Sequence, residues 1–399
     1  MRVLQLCHKP PCPAVDGGTK AMHTITMGLL AAGWEVKVVC LSTPKHPFDA
    51  DALPPGYAEA TGVEARFVDT SLNAVDAFND LVTADNYNIS RFFSPDLDIL
   101  IERILSRKKF DIIHLESLFM TPYIGTIRRL SKAPIVLRSH NLEHVVQQRI
   151  ADGERHFIKR PYRRLLAKQL RRYEHAALAR VDAVAAITPE DAAHFSKVEP
   201  SARVEVVPFG ADMPLAAAPW PAGGPVFYHL GSMDWLPNVE GVQWLLREVW
   251  PQVVAKHPAA RLHLAGNHMP PELLATRSPG VTVEGFVPDA TAWMAERHVM
   301  VVPLLSAGGM RVKMVEGMAL GRPVVSTMRG AEGIAQQEGH GVLLAEDAAG
   351  MARRMIALLE APEEARRIGE VARAQAVERF GSGTTVRFTL PLAKGGNQP

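Results

Sequence analysis

Short runs of Val, Ile and Leu alternate with longer stretches whose apolar residues recur every three or four positions, along nearly the whole chain. The runs predict strands at 2–7, 35–40, 64–68, 112–115, 134–138, 183–187 and 204–207. A second series follows at 226–230, 261–265, 281–284, 299–303, 323–327 and 341–344. Most runs are continuously apolar rather than alternating, the pattern of parallel strands buried on both faces. Strand–helix alternation of this kind predicts an α/β fold of parallel sheets covered by helices. Between the two series lies PFGADMPLAAAPWPAGGP, residues 208–225, whose prolines and glycines mark it as a linker. Two Rossmann-like domains, 1–210 and 211–380, are therefore expected, with residues 381–399 as a tail. Ligands of open α/β sheets bind outside the carboxyl ends of the strands, so the expected site is a cleft that the two domains face.

The residues just after the strands carry the candidate chemistry. After the first strand, Gly17 and Gly18 precede Thr19, a candidate N-cap, and Lys20 sits in the first helical turn, where a cation opposes the macrodipole. A bound anion would reverse that sign. The segment is not GxGxxG, so the dinucleotide fingerprint is missing where it would stand. In the second series, PLLSAGGMRVKMVEGMALGRPVVST reads strand, glycine loop, helix, strand. Gly308 and Gly309 allow close backbone approach, and a helix is expected to start between Met310 and Lys313. Arg311 and Lys313 then place two cations near a helix N-terminus, a setting that suits a diphosphate. Glu316, one turn on, either meets the hydroxyls of a ribose or pairs with Lys313 at i,i+3.

His140 and His144 are spaced i,i+4, but HExxH needs its Glu directly after the first His, and Asn141 stands there. The expectation is no metal site. His140, at the end of a strand, is expected to hold a ligand hydroxyl. The Asp-x-Asp triplets Asp49/Asp51 and Asp96/Asp98 follow no recognisable strand and are discounted.

Composition adds bounds. A chain of 399 residues, 47% apolar and 22% charged, is neither wholly disordered nor fibrous. The net charge of +2 implies no polyanionic partner. Cys7, Cys12 and Cys40 cannot form a disulfide framework and suit a reducing compartment. The N-terminus is too short in apolar residues for a secretory signal, and no run reaches a membrane span, so a cytoplasmic location is expected. One local excess stands out. Residues 159–172, KRPYRRLLAKQLRR, hold seven basic residues and no acid. A helix there carries Leu165, Leu166 and Leu170 beside cations, a solvated face or a segment making peripheral contact with the inner face of a membrane. Without aromatic interleaving, nucleic acid is not expected.

DGGTKAMH, RSHNLEH, YEHAALARVDAVAAIT, VVPFGAD, GSMDWLPN, VEGFVPD, GGMRVKMVEGMALGRPVVST and GAEGI, in that order, resemble the family-4 glycosyltransferases of the GT-B fold, over about residues 1–380. The GSMDWLPN and GGMRVK forms look most like the subgroup found with exopolysaccharide assembly. The resemblance implies a retaining, metal-independent transfer of a sugar from a nucleoside diphosphate to a glycan or lipid-linked acceptor, with no cofactor. It further implies that Gly308, Gly309 and Met310 approach the sugar and diphosphate, that Arg311 and Lys313 stabilise the leaving diphosphate, and that Glu316 holds the ribose. The backbone around Phe286 and Val287 would hold the base, and Gly231 and Ser232 would border the phosphates. Gly17, Gly18, Thr19 and His140 would face the acceptor or the transferred sugar.

Three departures stand beside it. The family's Glu-x7-Glu pattern would start at Gly308, so its first acidic contact to the sugar is absent. GSMDWLPN lacks the usual Arg/Lys pair, which gives Arg311 and Lys313 more weight. The tail GSGTTVRFTLPL alternates like a strand and resembles the closing segment of histidine-kinase ATPase domains, so a spliced or frame-shifted end is expected. Nucleotide-sugar epimerases share the architecture, and a non-catalytic nucleotide-sugar binder is the third reading.

Overall fold

The computed structural model describes residues 1–381 apart from 15, 72–86, 154, 155, 158, 209–213, 215, 307–309, 336 and 338. The expected spliced tail and both Gly308 and Gly309 lie outside the described residues. The chain divides into two compact units, Met1–Gly210 and Ala211–Gly381.

The first unit is built on seven parallel strands, β1 (Arg2–Cys7), β2 (Glu35–Ser42), β3 (Glu64–Phe67), β4 (Ile112–Glu116), β5 (Ile135–Ser139), β6 (Ala183–Ala186) and β7 (Arg203–Val206). They lie in the order β3-β2-β1-β4-β5-β6-β7. The second unit has six, β8 (Val226–Leu230), β9 (Arg261–Ala265), β10 (Val281–Gly285), β11 (Val299–Val302), β12 (Val324–Thr327) and β13 (Val342–Ala345). Their order is β10-β9-β8-β11-β12-β13, again all parallel. Every predicted strand is present, with ends shifted by at most two residues. The apolar runs explain why: β4 and β5 are buried at all five positions each, between helices on both faces. Leu4, Leu6, Ile113, Leu115 and Leu137 fill one side of the first sheet and Val3, Val36, Val38 and Ile112 the other. Each such side chain contributes about 1.5–3 kcal/mol by leaving water.

Six helices carry or border the candidate chemistry: α1 (Gly17–Ala31), α2 (Glu143–Gly153), α3 (Lys159–Leu178), α4 (Pro189–Val198), α5 (Leu236–Trp244) and α6 (Val312–Ala319). The N-cap of α1 is Asp16, not Thr19. Asp16 Oδ1 accepts from the Thr19 amide at 2.8 Å, and Thr19 Oγ1 accepts from the Asp16 amide at 2.9 Å. This reciprocal capping box draws Thr19 inside, and the Asp16 carboxylate supplies the negative charge that the first turn lacks. Lys9 holds Asp16 at 2.7 Å. Burial pushes the Asp16 carboxyl up, but Lys9 and the Thr19 amide more than reverse this, down to about 2.

The proline-rich stretch is also not a free connector. Arg373 donates to the Pro214 carbonyl at 2.8 Å, buried Arg322 to Pro219 at 2.7 Å, and His298 Nε2 to Pro221 at 3.1 Å. Proline has no N–H to join a ladder but keeps its carbonyl as an acceptor, and the second unit holds Pro214, Pro219 and Pro221 through theirs.

Candidate functional site

In each sheet the strand order reverses once, between β1 and β4 and between β8 and β11. Open α/β sheets bind ligands just outside the strand ends at such points. In the first unit, β4 ends on Glu116, which is fully buried. Its carboxylate accepts from Gln5 Nε2 at 3.0 Å and from His140 Nε2 at 2.9 Å. His114 Nε2 lies 3.4 Å away and Arg138 Nε 3.9 Å away. Burial pushes the Glu116 carboxyl up, while His114, His140 and Arg138 together hold it down at about 2. Burial lowers His114 as well, and Arg138 is the buried guanidinium beside Glu116.

His140 follows β5 directly. Since a carboxylate only accepts, its Nε2 carries the hydrogen, and Nδ1 is left as the acceptor of the ring. His8, just after β1, donates through Nδ1 to the Glu116 carbonyl at 3.0 Å, and its ring meets His140 edge-on at 5.9 Å. Burial lowers His8 to about 3. Gly17 and Gly18 form the first turn of α1 on the same side of the sheet. A Cβ on Gly18 would come within 3.1 Å of Lys9 Nζ. The structure thus joins His140 to Glu116 and His8, neither of which the sequence singled out. The signal for Glu116 was available: a lone charged residue closing a strand of otherwise apolar character.

In the second unit, the loops after β8, β9 and β10 are knitted together by glycines. Gly231 donates to the Ala265 carbonyl at 3.1 Å and Gly266 to Gly285 at 2.7 Å. Gly266 has φ +152, and a Cβ there would stand 1.7 Å from the Gly231 oxygen. A Cβ on Gly231 would stand 2.7 Å from Asn238 Nδ2, which donates to the Ser232 carbonyl at 2.8 Å. Ser232 Oγ donates to Asp234 at 2.7 Å. Across the switch point, a Cβ on Gly241 of α5 would lie 2.6 Å from the Pro303 oxygen just past β11, and Ser306 Oγ donates to Glu240 at 2.6 Å.

That loop leads to α6. Arg311 is its N-cap, with no side-chain bond capping the helix, and its guanidinium lies 4.9 Å from the centre of the Trp235 ring. Trp235 belongs to the β8–α5 loop, so a cation–π contact joins the two predicted donor segments. Trp235 was not singled out from the sequence. Lys313 and Glu316 pair at 2.8 Å, the i,i+3 alternative. Met310 is half-buried beside them. Phe286, after β10, exposes 66% of its surface, and Val287 is half-buried. A cavity of about 880 Å³ lined by Met328, Glu346, Asp347, Arg353 and Arg354 contains none of these residues.

Two family models match the chain. Residues 15–213 match Glycosyltransferase Family 4, and residues 224–361 match Glycosyl transferases group 1. Both units are glycosyltransferase domains. No curated protein matches the sequence. Among solved structures, sucrose-phosphate synthase from Thermosynechococcus elongatus is similar at 18% identity and a TM-score of 0.70, over 98% of each chain. A TarM variant from S. aureus in complex with Fondaparinux, alpha-GlcNAc-glycerol and UDP is similar at 10% identity and a TM-score of 0.66, over 99% of this chain and 100% of TarM. HepE from Anabaena in complex with UDP and glucose is similar at 15% identity and a TM-score of 0.62, over 98% and 99%. These likenesses establish the GT-B fold, as expected from the sequence.

In the first glycosyltransferase domain, the basic stretch forms the start of α3. Leu170 is buried in the core and Leu166 half-buried, so the expected three-leucine stripe does not face outward as a whole. What remains exposed is Leu165 at 44%, Tyr162 at 41% and Phe157 at 80%, amid exposed Lys159, Arg160, Arg164 and Lys168. No helix among the described residues is long and apolar enough to cross a membrane.

Proposed function

We propose that this glycosyltransferase moves a sugar from a nucleoside diphosphate to an acceptor hydroxyl, with retention and without a metal, the second unit holding the donor and the first the acceptor. The observation that carries this reading is the junction at the second switch point, where the Gly231–Ser232 loop meets the loop leading to Arg311 through Trp235. Glycines there keep backbone amides bare of side chains, and two cations stand at an uncapped helix N-terminus. TarM and HepE were each solved with UDP, which supports a nucleoside diphosphate as the donor.

Donor binding exchanges one ion pair for two contacts. Lys313 leaves Glu316 for the diphosphate, and Glu316 turns to the hydroxyls of the ribose. Gly308, Gly309 and Met310 lie along the sugar and diphosphate, and the exposed Phe286 with Val287 borders the base. As the bond from the anomeric carbon to the diphosphate breaks, charge grows on the leaving oxygen, where Arg311 and Lys313 stabilise it. The acceptor oxygen bonds to the same face of that carbon, and its proton passes to the leaving phosphate. His140, aimed by Glu116, holds a hydroxyl of the sugar or acceptor, with Gly17 and Gly18 giving close backbone approach and Thr19 pinning their turn. The exposed cations of α3, with Tyr162 and the preceding Phe157, favour an anionic membrane surface and hence a lipid-linked acceptor, in surface or exopolysaccharide assembly.

Screening UDP-, GDP- and ADP-sugars by thermal shift identifies the donor, since a bound ligand raises stability as RT ln(1 + [L]/Kd). Donor consumption that requires an acceptor supports transfer. Conversion of the free donor without one would instead mark an epimerase, and binding without turnover a non-catalytic binder.

A further inference from the structure

The sequence pairs His140 with His144, but the fold separates them. His140 turns to Glu116, while His144, on the first turn of α2, meets His175 near the end of α3 and His194 in α4. One ring nitrogen of each of the three lies within 4.8 Å of the others. The ring centres are 5.5 Å apart for His144 and His175, 5.3 Å for His144 and His194, and 5.9 Å for His175 and His194. The rings are inclined to one another by 89°, 39° and 53°, splayed about a common point rather than stacked. Imidazoles bound to one Zn²⁺ at about 2.0–2.1 Å have their ring centres roughly 5 Å apart and their ligating nitrogens about 3.4 Å apart. The rings already stand at nearly that separation, and small rotations bring the nitrogens in.

Hydrogen bonding points the same way. Nε2 of His175 and Nε2 of His194 are buried without a hydrogen-bond partner among the described residues. Each buried unpaired nitrogen costs on the order of 1–3 kcal/mol, and native folds seldom leave two side by side. His144 uses Nδ1 to bond the buried Glu174 carboxylate, which also accepts the amides of Glu143 at 3.1 Å and His144 at 3.3 Å. A carboxylate on the far nitrogen is the arrangement that orients a ligating histidine and raises its basicity. Glu174 therefore fixes His144 with Nε2 as its remaining nitrogen, and its negative charge favours a cation nearby.

We propose that His144, His175 and His194 bind one Zn²⁺, with water as the fourth ligand, clipping α2, α3 and α4 together. The ligands are 31 and 19 residues apart, so no local motif announces them. The clip holds the first turn of α2 through His144, four residues after His140, and is independent of the transfer chemistry.

The test uses the full chain, treated with EDTA and dialysed, then titrated with ZnCl₂ while melting temperature and bound zinc are read. The expected result is one zinc per chain and a rise in melting temperature that grows with zinc concentration. Substituting Co²⁺ should give the visible bands of tetrahedral nitrogen ligation. His175→Ala with His194→Ala, both only half-buried, should melt like the EDTA-treated protein and lose the zinc response. His194→Gln alone serves if the double variant does not fold, and should lose the Co²⁺ bands. A folded wild-type chain that neither retains zinc nor shifts with it overturns the site, as does a zinc response unchanged in either variant.

Discussion

Glu116 and Arg138 are a buried pair whose members depend on each other. The Arg138 Nη atoms donate to the Val207 and Pro208 carbonyls, at 3.1 and 3.3 Å, and among the described residues Glu116, 3.9 Å from Nε, is the carboxylate that offsets its charge. Removing one partner of a buried pair costs about 3–5 kcal/mol, because the other is stranded. Glu116→Ala is expected to lower the unfolding free energy from urea titration by that amount, and an unchanged value would refute the pairing. At Gly266, φ and crowding act together. Gly266→Ala is expected to destabilise the second unit by about 3 kcal/mol or more, because the new Cβ would meet the Gly231 oxygen. A melting curve that matches the wild type contradicts it. The sequence marks Glu116 as a charge closing an apolar strand but shows neither its partners nor the crowding at Gly266. Their roles come from contacts between parallel strands distant along the chain, and AGN after a strand looks like any turn.

At the scale of elements, the thirteen strands were legible because burial on both faces forces continuous apolar runs. The start of α6 was legible too, since a cation at the N-cap and another in the first turn of an apolar helix have few physical explanations. Helix caps were less so. Asp16, rather than Thr19, caps α1 because the capping box needs both residues, and either order of roles fits the letters alone. The face that α3 presents was misread in part, as its leucines divide between core and solvent. The remaining exposed cations are each expected to contribute about 1 kcal/mol to binding anionic lipid near its surface. Co-sedimentation with phosphatidylserine vesicles at low salt should therefore capture the protein, and high salt should release it. Replacement of Lys159, Arg160, Arg164 and Lys168 by Gln should abolish capture, and capture that survives it would remove α3 from the membrane reading.

For the whole molecule, buried histidines set the response to acid. The His8 side chain has an unfolded value near 6.5 and is lowered by burial to about 3, so between these values the unfolded chain binds a proton that the folded chain does not. Stability therefore falls as pH drops below about 6.5, by about 1.4 kcal/mol per pH unit for each such proton. Glu116, held down at about 2, adds to the loss below about pH 4.5. Burial lowers His114 and His229 too, while it raises the Glu143 carboxyl to about 7, which favours the folded chain over the same interval. Urea unfolding at pH 7, 6 and 5 should show midpoints declining in that order, and flat midpoints would mean that the buried histidines do not outweigh Glu143.

The two-domain GT-B architecture was readable because both units repeat one simple pattern, and the proposed donor segments were picked out because they sit at strand ends. The histidine cluster was not, since three helices bring it together. The central claim is that Arg311 and Lys313 serve a nucleoside diphosphate. Calorimetric titration of UDP, GDP and ADP into the wild-type chain and into Arg311→Ala with Lys313→Ala tests it most directly. One of the three is expected to bind the wild type, and the double variant to bind it at least about 100-fold more weakly. Equal binding by both proteins, or none by the wild type, would contradict it.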